Sequence, residues 1–178
     1  MSVRRRQDDL PGIRSLLAVN PEARLLDLGG GTGALAAVFA REVARVVVLE
    51  PNPRKVAFGR RRHAGVTFVE GSGESIPFPD GSFDRAIAML SFHHVHDPDR
   101  VLEEVHRVLA PSGRFLLQEF HPAHAPGALA RRVRGRRHGT HPHRYYEPAE
   151  LRAALEAHGF RDASTHAARR GYLALAVR

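Results

Sequence analysis

Hydrophobic positions along this chain alternate between two kinds of run. Short, nearly continuous apolar stretches at 24–28, 45–49, 66–70, 83–89 and 113–119 read as strands, and the segments 11–18, 33–42, 53–61, 98–109 and 147–158 between and after them read as helices. Such an alternation predicts an α/β, doubly wound sheet. Two more strands, at 160–166 and 172–177, are separated only by Ala167-Ala168-Arg169-Arg170-Gly171. That link is too short for a crossover helix, so the pair must form an antiparallel hairpin. The expectation is a seven-stranded sheet, mostly parallel, with a C-terminal antiparallel hairpin. Local punctuation supports the boundaries: Asp97-Pro98 starts a helix, Ala110-Pro111-Ser112-Gly113 ends it, and Gly159 stops the helix from Pro148.

Length and composition narrow the class. At 178 residues and 43% hydrophobic content, one domain spanning 1–178 with one substantial core is expected. No apolar run approaches the roughly 20 residues needed to cross a bilayer, and the start lacks the apolar stretch of a signal peptide. Zero cysteines exclude disulfides, thiolate nucleophiles and cysteine-ligated metal. A cytoplasmic location is the expectation. The net charge of +8 raises the question of nucleic acid. Lys55, however, is the only lysine among 27 basic residues, and the arginines are spread over Arg4–Arg6, Arg54–Arg62 and Arg131–Arg144. A solvated, arginine-rich surface is the simpler reading, and a nucleic-acid partner is not expected.

The chemistry concentrates at the first strand. Leu25-Leu26-Asp27-Leu28 runs straight into Gly29-Gly30-Gly31-Thr32-Gly33, and the second strand, Val46-Val47-Val48-Leu49, ends in Glu50. A glycine turn after one parallel strand and a carboxylate at the end of the next make a nucleoside-cofactor site: the glycines admit the cofactor to the backbone, and the acid accepts ribose hydroxyls. Two cofactors compete. Gly29-x-Gly31-x-x-Ala34 meets a dinucleotide pattern minimally, whereas Asp27-x-Gly29-x-Gly31-x-Gly33 resembles the first motif of class I S-adenosylmethionine-dependent methyltransferases. Three further segments resemble that family in order: Gly71–Asp84, Leu90–Asp97 and Arg107–Phe115. Tyr145–Leu151 through Gly159-Phe160 is similar to the late helix of its small-molecule members. The resemblance covers about residues 20–178 and implies a Rossmann-like fold with S-adenosylmethionine as cofactor. It places Asp27, Gly29, Gly31, Gly33, Glu50, Pro51, Ser72, Gly73 and Leu90 around that cofactor. Ser72 departs from the family, which generally has Asp there as acceptor for the adenine amino group. A hydroxyl has shorter reach and no charge.

On the acceptor side, His93 and His94 follow the fourth strand, and Glu119 and His121 follow the fifth. A neutral imidazole there can take a proton from an acceptor as methyl transfer proceeds; these four are the candidate catalytic residues. Of Tyr145 and Tyr146, one is expected in the pocket and the other in the core. His138-x-x-His141-x-His143 could be read as a metal site, but it has no cysteine and no carboxylate before Glu147. Surface histidines of a lid-like insertion at 121–146 are the preferred reading, with no metal. The short N-terminal segment predicts that this insertion, or a partner subunit in a homodimer, closes the cleft. The expected activity is methyl transfer to a small-molecule acceptor. The alternatives are an RNA or protein methyltransferase and a non-catalytic S-adenosylmethionine-binding protein.

Overall fold

The structure, a computed structural model, describes residues 9–121 and 144–178. The elements run α1 (Leu10–Leu17), β1 (Arg24–Leu28), α2 (Ala36–Phe39), β2 (Arg45–Glu50), α3 (Pro53–Arg62), β3 (Thr67–Glu70), β4 (Phe83–Met89), a 3-10 turn (Phe92–His94), α4 (Pro98–Val108), β5 (Leu109–Glu119), α5 (Pro148–Ala157), β6 (Arg161–Ala168) and β7 (Gly171–Val177). The seven strands form one sheet in the order β3-β2-β1-β4-β5-β7-β6. β1 to β5 are mutually parallel, while β7 lies antiparallel to both β5 and β6. The expected sheet and its antiparallel C-terminal strands are therefore present.

Side-chain alternation gives the sheet two buried faces. Leu26, Leu28, Val47, Leu49, Ala86, Ala88, Phe115 and Leu117 point to one face, where Val101, Leu102 and Val105 of α4 and Leu151 and Leu155 of α5 cover them. Leu25, Val46, Val48, Ile87, Met89 and Leu116 point to the other, under Ile13 and Leu17 of α1, Ala36 and Phe39 of α2, and Val56 of α3. A parallel sheet covered on both sides explains why its strands read as continuous apolar runs. Arg14 of α1 also pairs with Glu42, just past α2, at 2.7 Å.

Two boundaries differ from expectation. The helix expected at 33–42 is only Ala36–Phe39. Gly33 sits at φ 75°, outside the helical region, and Glu42 N–H donates to Phe39 O in a tighter 3-10-type turn. The turn expected at Ala110–Gly113 does not delay the fifth strand. The ladder begins at Leu109 opposite Phe83, and its register shifts before Arg85 meets Arg114. Ser112 takes a left-handed φ of 64° to accommodate the extra residues. The caps behave as expected. Asp97 accepts from Arg100 N–H at the start of α4, and Gly159 ends α5 at φ 83°.

Candidate active site

β1 lies between β2 and β4, with the connections from β1 leaving to one side and those from β4 to the other. A doubly wound sheet opens a crevice at the carboxyl ends of its strands at such a reversal. Here the crevice is a cavity of about 760 Å³ lined by the glycine turn, the ends of β2 and β4, the loop 71–74, and Leu10 of α1. That volume lies within the roughly 300–1,000 Å³ of small-molecule sites.

The glycines divide by role. Gly29 is at φ 65°, and a Cβ on it would meet the Cβ of Ser91 at 2.7 Å, so this position takes only glycine. Ser91 in turn donates its hydroxyl to Leu28 O at 2.8 Å, stitching the loop after β4 to the end of β1. Gly31, at φ 64°, has open space where a side chain would begin and lines the cavity. Gly33 does not line it. A Cβ there would drive into the Phe68 ring, so Gly33 serves the packing of the turn against β3. Asp27 is also off the cavity wall: it is buried, and its carboxylate lies beneath Gly30, where a Cβ would collide with it.

Glu50 is 3% exposed, yet its carboxylate faces the cavity. Oε2 accepts from Gly31 N–H at 3.0 Å and Oε1 from Asn52 N–H at 3.1 Å. Asn52 caps α3 by accepting from Arg54 and Lys55 N–H. The first turn of that helix brings Lys55 Nζ to 3.3 Å from Glu50 Oε1. Lys55 on the wall was not anticipated, although the Asn52-Pro53 helix start directly after Glu50 contains the signal. Pro51, Ser72, Gly73 and Leu90 all line the cavity. Leu90 holds a left-handed φ of 56° while donating its N–H to Gln118 O at 2.8 Å. Such strain in a bulky residue is characteristic of functional loops.

The acceptor candidates separate into two groups. His94 is exposed and lines the cavity. His93 is 4% exposed and Glu119 fully buried; neither is on the wall. They bond to each other, with His93 Nδ1 to Glu119 Oε2 at 2.7 Å and His93 N–H to Glu119 Oε1 at 3.3 Å. The His93 ring packs on His94 at 4.1 Å and stacks on Tyr145 at 5.1 Å between centroids. His121 stands apart, with Nε2 3.4 Å from Glu147. Tyr146 is in the core and its carbonyl accepts from Tyr172 OH. Tyr145 reaches His93 rather than the cavity. Burial raises all three phenols, with the Glu119 carboxylate adding to each, and pushes Tyr146 to about 12. They remain protonated at neutral pH.

His124, His138, His141 and His143, and most of the 121–146 insertion, lie outside the described residues. Among the described residues no group of His, Asp or Glu side chains comes together as a metal site, and no helix is long and apolar enough to cross a membrane.

An α/β sheet in this strand order, with a cofactor-sized crevice beside a glycine turn and a buried carboxylate, defines a nucleoside-cofactor enzyme of the methyltransferase architecture. Comparison with known proteins agrees. The family model of the methyltransferase domain matches residues 26–117. The ubiquinone/menaquinone biosynthesis C-methyltransferase UbiE of Rubrivivax gelatinosus is 41% identical over 97 residues, which are 54% of this chain and 39% of that protein. An uncharacterized methyltransferase of a Mycobacterium species is 43% identical over 93 residues, 52% of this chain and 37% of its own. The match thus spans about two fifths of the length of these curated relatives. The crystal structure of YcgJ from Bacillus subtilis superposes with a TM-score of 0.75 at 26% identity, covering 90% of this chain and 71% of that one. The chain belongs to the class I S-adenosylmethionine-dependent methyltransferases, and S-adenosylmethionine is the cofactor this membership assigns.

The residues present fit that cofactor. A left-handed Gly31 with open space at its Cβ position admits a ligand to the backbone. Beside it stands a buried carboxylate whose Oε1 meets Asn52 N–H and Lys55 while Oε2 accepts only Gly31 N–H among these contacts, leaving Oε2 a lone pair for a hydroxyl.

Proposed function

We propose that this chain transfers a methyl group from S-adenosylmethionine to a small-molecule acceptor, within the cavity between the glycine turn and the loop after β4. The observation that carries this reading is Glu50, a buried carboxylate held at the cavity wall by Gly31 and Asn52 N–H. Glu50 would accept the ribose hydroxyls. Gly29, Gly31 and Pro51 would lie along the cofactor, and Gly73 would offer its N–H to the adenine edge.

The bound cofactor supplies a methyl made electrophilic by its sulfonium. The protein's task is then to position the acceptor in line, keep water out and remove a proton where the nucleophile carries one. Two imidazoles line the cavity, His94 and His96; of these we assign the proton to the ring of His94, which directly follows the Leu90–Ser91 loop and packs on His93. His93 and Glu119 do not touch the acceptor. Their bonded pair fixes the ring on which His94 packs, which makes them positioning residues. His121, paired with Glu147, serves the region where the chain leaves β5.

The same reading places the enzyme in the cytoplasm and uses a second protomer, or the 121–146 insertion, to complete closure of the cleft. A methyl-release assay over a panel of phenolic, amine and carbon-acid metabolites tests the activity. Turnover on at least one of them, abolished by excess S-adenosylhomocysteine, is expected. Turnover confined to RNA or protein substrates would overturn the small-molecule reading. Light scattering across protein concentrations tests assembly, and a monomer throughout would remove the dimer.

A further inference from the structure

The loop 71–74 reaches the cavity with no aspartate, yet it does bring a carboxylate there. Glu74 lines the cavity beside Ser72 and Gly73. Its Oε2 accepts the Ser72 hydroxyl. Its Oε1 accepts His96 N–H at 2.9 Å, from the loop that carries His94. Gly73 between them packs against Val101, where a Cβ would meet Cγ2 at 3.3 Å, so the loop is pressed onto the start of α4. On the far side of the same loop, Ile76 N–H donates to the buried Glu104 at 2.8 Å. Arg107 donates to Ile76 O and Phe78 O at 3.0 and 2.9 Å. The backbone carrying Ser72 and Glu74 is thus held from α4, and the two side chains face the cavity from a fixed base.

We infer that Ser72 and Glu74 together form the acceptor for the exocyclic amino group of the cofactor's adenine, with Glu74 supplying the charge. This rests on the cofactor reading above. Each Glu74 oxygen uses one lone pair on the protein and keeps another. By donating its proton to Glu74, the Ser72 hydroxyl keeps its lone pairs as acceptors, one shared with Glu74 N–H at 3.4 Å and the other left for a ligand donor. An amino group, which only donates, matches this pair. A carbonyl oxygen at the same ring position would face acceptors alone. Because the same carboxylate holds His96 N–H, adenine recognition is also tied physically to the acceptor loop.

The test compares binding of S-adenosylhomocysteine with that of S-inosylhomocysteine, in which an oxygen replaces the amino group, by calorimetry on the full chain. The wild type should prefer the adenine ligand by roughly tenfold to a hundredfold, the range of one charge-assisted hydrogen bond. Glu74→Gln should cut the preference to about threefold or less, since its amide can turn a donor toward the oxo group. Ser72→Ala should lose a smaller part, and Ser72→Asp in the Glu74→Gln background should restore the preference. The ratio is the decisive readout, because a merely structural role for Glu74 would weaken both ligands alike. A Glu74→Gln ratio equal to that of the wild type overturns the assignment, as does a wild type without preference. A folded wild type that binds neither ligand would instead overturn the cofactor reading, and this assignment with it.

Discussion

The two sides of the cleft are built in opposite ways. At the Glu50 end of the cleft, the parts are contiguous in sequence: turn, strand end and helix cap within residues 27–55, with Glu50 bonded to backbone only 19 and 2 residues away. On the acceptor side, the central contact joins His93 to Glu119 across 26 residues, and the ring stacked on it, Tyr145, comes from beyond the insertion. Both sides use a strand-terminal carboxylate at the carboxyl edge of the sheet. Glu50 turns to the cavity and backbone donors, while Glu119 turns to an imidazole and away from the cavity. Backbone geometry thus builds the Glu50 end of the cavity, and side-chain packing builds the His93–Glu119 region.

That separation can be broken by experiment. The largest expected effect belongs to His94. His94→Ala should lower methyl transfer by roughly 10²- to 10⁴-fold, the range for loss of a positioned general base, while leaving S-adenosylhomocysteine affinity within about twofold. Unchanged turnover on an acceptor that must lose a proton would remove His94 from the mechanism. Next is Glu119→Ala, which takes the acceptor from a buried ring and a buried N–H. We expect about 3 kcal/mol lower stability by urea denaturation, with cofactor affinity retained by the folded protein. Loss of cofactor binding in that variant would show that the two sides are coupled after all.

Glu50→Ala is the converse. It should weaken S-adenosylhomocysteine by about 1.5–3 kcal/mol, roughly tenfold or more; an isothermal titration with unaltered affinity would remove the ribose role. The smallest effect is a pH dependence of the support beneath the adenine loop. The Arg107 guanidinium, bonded to Glu104, holds that carboxyl down at about 2, helped by Ile76 N–H and the charges of Arg107 and Arg100. Because the folded value lies below the unfolded one, this stabilisation is complete above about pH 4.5 and is lost as pH falls toward 2. Denaturation at pH 6 and pH 3 should show a fall that Glu104→Gln flattens. An equal fall in that variant would assign the acid sensitivity elsewhere.

Legibility followed the same division. Strand ends, the Asp97 cap, the Gly159 stop and the antiparallel hairpin could be read from local rules, because each is decided within a few residues. The glycine turn and Glu50 could be read for the same reason. Gly33 lies off the cavity wall, because a motif does not distinguish a glycine that borders a cavity from one that admits Phe68, and Asp27 lies beneath Gly30 in the turn. The helix expected at 33–42 shortened for a related reason, the left-handed Gly33 at its start. The His93–Glu119 bond and the reach of Glu74 to His96 were not legible. Both depend on parallel strands placing distant loops side by side, and no spacing in the sequence encodes that.

The central claim is that the crevice beside the glycine turn takes S-adenosylmethionine and not a dinucleotide, although Gly29-x-Gly31-x-x-Ala34 satisfies the dinucleotide pattern. Calorimetric titration of the full chain with S-adenosylhomocysteine and, in parallel, with NADH measures this directly. Saturable one-to-one binding of S-adenosylhomocysteine is expected, with no comparable heat from NADH. Binding of NADH, or a folded protein giving no S-adenosylhomocysteine signal, would contradict the claim.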